Sequence, residues 1–310
     1  MKARVWIALL AVYIVWGSTY LAIRFTIETI PPFLSAGIRF LISGAILYIW
    51  SRLSGDAAPS KAEWRSASII GLLLLLSGNG FLVWAEQRIP SGIASLFIAT
   101  TPLWMVLIDA LRPGGVKANS LTWLGVLAGL IGTALLANPW QSRTTSPALD
   151  SIGVIVLLIA ALSWSIGSLY SRKATLPKSP LLGTGMEMLV GSIGLFALSG
   201  VVGEWNQFHI LTISSRSLGG LAYLIIFGSG IGFVAYTWLL RNAPTPLVST
   251  YAYVNPIVAI LLGSVIANEP LGGIEILSAL IIIGGVILIT SAKSLAQRKA
   301  SAIPLTPGED

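Results

Sequence analysis

The chain has 310 residues, of which 55% are hydrophobic and only 10% charged. Its mean hydropathy is +0.84, which excludes a soluble globular domain and places it in a membrane. The net charge of +7 does not indicate nucleic acid as a partner, because the basic residues stand singly or in small groups between apolar runs and form no stripe for phosphate. Cysteine is absent and His209 is the single histidine, which excludes disulfides and thiolate sites; no metal and no cofactor are expected.

A bilayer core about 30 Å thick takes roughly 20 helical residues per crossing. Ten such stretches are predicted, over residues 4–23, 32–51, 66–86, 92–111, 120–138, 152–171, 180–201, 216–240, 246–267 and 273–292. The first follows Lys2 and Arg4 and is too long for a signal-peptide core, so it reads as a transmembrane helix. With ten crossings, Lys2, Arg4, Arg52, Lys61, Arg65, Arg112, Lys117, Arg172, Lys173, Lys178, Arg241, Lys293, Arg298 and Lys299 fall on one side. Only Arg24, Arg88, Arg143 and Arg216 fall on the other. The positive-inside bias then makes both termini cytoplasmic, and removing any one helix would spoil the asymmetry.

The chain repeats itself. Trp16, Arg24, Pro32 and Arg39 recur about 148 residues later as Trp164, Arg172, Pro180 and Glu187, and Trp84, Pro90, Ser95 and Pro102 recur about 154 later as Trp238, Pro244, Ser249 and Pro256. Two halves that each cross the bilayer five times lie in opposite orientation, an architecture found in secondary transporters. The expected organisation is an all-α integral membrane protein with five-helix repeats over 4–138 and 152–292. Residues 139–151 connect the repeats, and 293–310 form a cytoplasmic tail.

Candidate site residues follow in chain order. Trp16 in helix 1, and its counterpart Trp164 in helix 6, lie well inside their spans and serve either as a cavity wall or as packing, whereas Trp6, Trp50, Trp64, Trp123, Trp140 and Trp205 sit at helix ends as an interfacial belt. Arg39 in helix 2 and Glu187 in helix 7 hold equivalent positions in inverted copies, so their depths differ by about 10 Å. They form either a structural pair or the charged ends of a polar cavity, with Arg39 facing a substrate carboxylate and Glu187 a substrate amine or a proton. Helix 3 carries Asn79 in an apolar run and ends at Glu86, which is expected to reach water and pair with Arg88. Pro102 in helix 4 and Pro256 in helix 9 are expected to kink their helices and free carbonyls towards protein or a wet cavity. Tyr251 and Asn255, four residues apart, share a face that either lines a substrate path or bonds a neighbouring helix. Gly125 with Gly129, and Gly228 with Gly232, have small-xxx-small spacing for close helix contact. Helices 5 and 10 are read as peripheral.

Trp16-Gly17-Ser18-Thr19-Tyr20, the segment from Pro32 to Arg39-Phe40, Gly78-Asn79-Gly80, Glu86-Gln87 with Pro90-Ser91-Gly92, and Ser249 to Tyr253 with Asn255 and Pro256 together resemble the EamA family of the drug/metabolite transporter superfamily, close to its YedA-like members. The resemblance covers roughly residues 4–292. It implies ten helices in two inverted repeats and a central cavity lined by helices 1–4 and 6–9. It also implies export of small metabolites such as amino acids, or of toxic compounds, across the bacterial inner membrane. A small-molecule substrate and the lipid bilayer are the expected partners, protons are the candidate coupling ion, and the protein is expected as a monomer or weak homodimer. No phosphate-binding loop is present, so the chain itself does not use ATP. Proton antiport and facilitated diffusion both stay open. An intramembrane enzyme would need paired aspartates or a His-rich motif, and neither occurs; a passive channel is the remaining alternative.

Overall fold

A computed structural model describes residues 2–111, 119–137, 149–243, 250–269 and 271–301. Most of the expected connection 139–151, with Trp140, lies outside the described residues, as do Arg112, Lys117, Ser249 and the end of the expected tail. The described chain is all helix: α1 (Lys2–Thr26), α2 (Pro32–Leu53), α3 (Lys61–Ala85), α4 (Ser91–Leu111), α5 (Ser120–Ala137), α6 (Ser151–Ser171), α7 (Pro180–Val201), α8 (215–242), α9 (Tyr251–Ile266) and α10 (Gly273–Ser301). Eight of these are long and apolar enough to span a bilayer, and α5 and α9 supply two shorter apolar helices, which matches the ten predicted stretches.

Four helices start where the sequence just before them supplies a side-chain partner for their free amides. Ser60 and Glu63 form a capping box on α3, Asn119 Oδ1 accepts from Thr122 N on α5 at 2.8 Å, and Ser214 Oγ accepts from Ser217 N on α8 at 3.0 Å. Asp150 caps α6 by accepting from Gly153 N at 2.7 Å, and this amide bond holds its carboxyl below the ordinary carboxylate range.

The helices pack with an exchange symmetry: α1 lies against α8 and α9, and α6 lies against α3 and α4, while α2 pairs with α7 and α5 with α10. These main contacts of one half thus have counterparts with the halves exchanged, as an inverted repeat requires. Lipid gives helices no hydrophobic reason to associate, so the pairs rely on close backbone approach. A Cβ on Gly285 of α10 would come within 2.6 Å of Gly125 O on α5, and one on Gly44 of α2 within 2.8 Å of Met188 Cβ on α7. The Gly125 and Gly129 spacing therefore serves the α5–α10 contact. The apolar side chains left outside, such as Ile46, Leu127, Ile193 and Leu280, are exposed all round the bundle, where lipid rather than water solvates them.

Three spans depart from a regular α-helix. Leu72–Gly80 of α3 and Leu224–Ile231 of α8 are π-helical, at corresponding places in the two halves. Helix α4 is interrupted between Ile98 and Thr101, so Pro102 sits in the first turn of a new helical segment instead of kinking a continuous one. There its missing amide costs nothing, because first-turn amides have no intrahelical partner. Pro256 lies inside the continuous α9.

Replacing Gly285 with Val is expected to destabilise the protein by about 1–3 kcal/mol through overpacking, whereas the same change at Gly284, with nothing within 4 Å of its Cβ position, leaves the melting temperature in detergent unchanged. Equal melting temperatures for both variants would rule out the glycine contact as the basis of the α5–α10 pair.

Candidate functional site

The π-helical span of α3 and the break in α4 line one cavity of about 670 Å³. It runs from Tyr20 on α1, past Arg39 and Asn79, to Asp109 and Arg172 at the far ends of α4 and α6. The π-helical turns place its wall. In α8 they bring Ser229 to α2, where Arg39 Nε donates to Ser229 Oγ at 3.0 Å, and Gly228 to α1, where Trp16 Nε1 donates to Gly228 O at 3.1 Å. A side chain at Gly232 would collide with Trp16, and one at Gly78 of α3 would meet Trp164 Cε3 at 3.0 Å. Each of these two tryptophans therefore rests on a glycine within or just after the other half's π-helical span.

Trp16 also anchors an aromatic cluster. Its ring centroid lies 5.3 Å from Phe233, 5.0 Å from Tyr236 and 5.4 Å from Tyr251. Edge-to-face geometry with Phe233 and Tyr251 is the favourable arrangement for ring quadrupoles. In the α4 break, Thr100 and Thr101 hydroxyls donate back to Phe97 O and Ile98 O, both at 2.6 Å, and Ser165 Oγ of α6 donates to Thr101 O at 3.0 Å. Side chains thus supply bonds that the interrupted helix lacks.

Among the cavity-lining residues, Arg39 Nη1, Asn79 Oδ1 and Asn255 Oδ1 are buried polar atoms with no hydrogen-bond partner. Arg39 is only 5% exposed and Asn255 7%. Buried polar groups are nearly always satisfied, so unsatisfied ones facing a cavity mark where a ligand or water completes them. Together they offer one cationic donor and two amide acceptors.

Of the sequence-derived candidates, Trp16, Arg39, Asn79, Pro102, Trp164, Tyr251, Asn255 and Pro256 line this cavity, and Glu187 does not. Glu187 is carried by α7, whose face is taken up by α2 and α3; a side chain at Gly71 of α3 would collide with the Glu187 carbonyl. Among the described residues it makes no ion pair with Arg39. The implied wall changes accordingly: α7 contributes no lining residue, and Ile289 and Thr290 bring α10 into it. Helix α10 is thus not merely peripheral, because its close approach to α5 carries Ile289 into the apolar cluster of Leu103, Val106 and Val126.

Glu86 also differs from expectation. It is fully buried, and Arg88 instead pairs with Asp150 at 3.2 Å while lying over the Trp84 ring. The tight turn after α3, with Arg88 N and Ile89 N both bonded to Ala85 O at 2.9 Å, sends the two side chains in opposite directions. Three further residues that the sequence did not single out serve the site: Asp109 and Arg172 line the cavity, and Ser229 accepts from Arg39. For Ser229 a signal existed: Ser77, Gly78 and Gly80 recur as Ser229, Gly230 and Gly232.

The profile of the EamA-like transporter family matches residues 3–138 and 151–291. The chain is 39% identical to the uncharacterized inner membrane transporter YedA of Escherichia coli K12, over 96% of this chain and 94% of that protein. It is 25% identical to an uncharacterized transporter of Synechocystis, over 93% and 90%, and 25% identical to a WAT1-related chloroplastic protein of Arabidopsis thaliana, over 92% and 69%. A solved crystal structure aligns over 96% of this chain and 99% of its own with a TM-score of 0.62 at 22% identity, which shows a common fold.

Because the chain has no native cysteine, single cysteines report on the cavity directly. At Met105 and Thr290, which line it, they are expected to react with a small maleimide in detergent, and at the fully buried Leu157 they are not. Equal labelling at all three positions would contradict the cavity.

Proposed function

The chain belongs to the EamA-like transporter family, and from that premise we propose that it is a secondary carrier exporting amino acids or related small metabolites across the bacterial inner membrane by alternating access. The observation that carries the substrate class is the set of unpartnered atoms on the cavity wall, Arg39 Nη1 with Asn79 Oδ1 and Asn255 Oδ1. A guanidinium suits a carboxylate, and two amide oxygens suit an ammonium group, so the set complements a zwitterion. The inner-membrane location rests on the name of the Escherichia coli relative. The same family points to a transporter and away from an enzyme.

A specific observation supports a second reading, efflux of xenobiotics. The rings of Trp16, Phe233 and Tyr251 that line the cavity offer π faces to a lipophilic cation. The substitution Arg39→Gln separates the two readings, since it removes the carboxylate partner and leaves the rings.

Movement is assigned to α3 and α4 with α8 and α9, which carry the π-helical spans, the α4 break beside Pro102 and the proline Pro256. These helices would rock so that the cavity opens to one side at a time.

Counterflow in proteoliposomes loaded with unlabelled amino acids tests the carrier. Exchange of labelled compound is expected, and ohmic current without counterflow would identify a channel instead. Arg39→Gln is expected to weaken amino acid exchange by about 10- to 100-fold, the range for losing a charged hydrogen bond, and Glu187→Gln to retain it. A variant Arg39→Gln with undiminished exchange of the same amino acid would remove Arg39 from substrate binding.

A further inference from the structure

The face of the bundle carrying the connections 27–31, 86–90, 202–214 and 267–272 is held shut by carboxylates reaching across the two halves. Glu204 accepts from Phe33 N at 3.1 Å and Leu34 N at 2.8 Å, at the start of α2. Glu269 accepts from Ser91 N at 2.8 Å, Gly92 N at 3.1 Å and Ser91 Oγ at 3.0 Å, at the start of α4. Each carboxylate thereby satisfies free first-turn amides and the positive end of a helix dipole. Gly263 leaves room for the second, since a Cβ there would lie 2.5 Å from Glu269 Oε2. Arg216 pairs with Glu28 and Arg88 with Asp150, both at 3.2 Å, on the same face.

Glu86 does not share in these bonds. It is 0% exposed, both its carboxyl oxygens lack a hydrogen-bond partner, and it sits just past the last residue of the α3 span. The groups whose charge acts on it are Glu269 from the α9–α10 connection and Arg24 from α1. Arg24 spends its Nη1 on the Glu86 backbone carbonyl at 2.6 Å instead of on the carboxyl. Tyr20, which lines the cavity, lies one turn before Arg24 on α1, so the residue that Arg24 holds sits near the cavity as well as at the clamped face. An ionised carboxylate left without a partner in a dry site, beside a second carboxylate, costs several kcal/mol, whereas a neutral one leaves only weak hydrogen-bonding capacity unmet.

We propose that Glu86 is a proton-binding site that closes this face: its carboxyl carries a proton while Glu269 holds α4, and gives it up to the medium when that contact parts and water enters. No covalent bond changes; one proton moves from a carboxyl oxygen to water. The closed state then binds the proton more tightly than the open state, so low pH favours closure and rising pH favours opening. Resting on the carrier reading, this makes Glu86, in place of Glu187, the coupling carboxyl.

The test needs no substrate. Spin labels at Gln87→Cys and Leu271→Cys, both on exposed residues of the clamped face, report its opening in nanodiscs by electron-electron distance measurement. A short distance is expected at pH 5.5, with a longer one growing by up to about tenfold per pH unit, the limit for one released proton. Glu86→Gln, the neutral isostere, is expected to keep the short distance at every pH and to melt no lower than the parent at pH 6. A pH response unchanged in Glu86→Gln, a loss of its stability, or opening that follows sodium concentration at fixed pH would each overturn the proposal. In proteoliposomes Glu86→Gln should retain counterflow and lose its acceleration by a pH gradient. If no compound exchanges in the parent, the carrier reading fails while the distance measurement still decides the role of Glu86.

Discussion

Within a bilayer no water is at hand to satisfy a backbone amide or carbonyl, and this constraint governs the whole molecule. It makes every described span helical, and it makes any departure from the α-helix expensive unless protein or a wet cavity receives the freed groups. The departures are few: π-helical turns in α3 and α8 and the break in α4. The π-helical turns of α3 and the break in α4 border the same cavity, and those of α8 hold two of its wall residues, Trp16 and Arg39. Their partners are visible, with Trp16 bonded to Gly228 O and Ser165 bonded to Thr101 O. π-helical segments are rare and concentrate at functional sites, so finding one in each half, the first lining the cavity and the second bonded to its wall residues Trp16 and Arg39, argues for a shared purpose.

The two halves supply the frame, and their differences supply the chemistry. Trp16 and Trp164 keep matching roles, each resting on a glycine of the opposite half. Arg39 and Glu187 do not. The π-helical span of α8 gives Arg39 a hydroxyl partner and a place at the cavity, while α3 abuts the backbone of α7 at Glu187 and leaves that carboxyl behind the wall. An inverted repeat can move about a symmetric frame, but a substrate with two unlike ends needs an asymmetric lining. Arg39 Nη1 and the two asparagine oxygens make the lining asymmetric in this way.

The molecule's ends differ in the same spirit. At one face, carboxylates from the connections cap α2 and α4 across the halves, and Glu86 is buried just past the end of α3 on the same face. At the opposite end the cavity reaches the charged side chains of Asp109 and Arg172. Cross-half caps are well suited to a gate, because a few charge-assisted bonds hold each one and water replaces them readily once the face opens.

Much of this was legible in the sequence. Apolar runs of bilayer length, the alternation of basic connections and the 148- and 154-residue spacings determine ten helices and a repeated architecture, since burial in lipid and backbone satisfaction leave few alternatives. Polar residues placed deep in apolar runs, such as Arg39, Asn79 and Asn255, announced themselves by their cost. What only the tertiary structure decided was which way those residues face. A shift from α to π winding rotates every later side chain by part of a turn, and no local pattern in Leu72–Gly80 or Leu224–Ile231 displays it. The exclusion of Glu187, the entry of α10, and the opposite directions taken by Glu86 and Arg88 all follow from helix contacts between residues far apart in the chain. Periodicity reports the depth of a residue in the membrane, and only packing reports what it touches there.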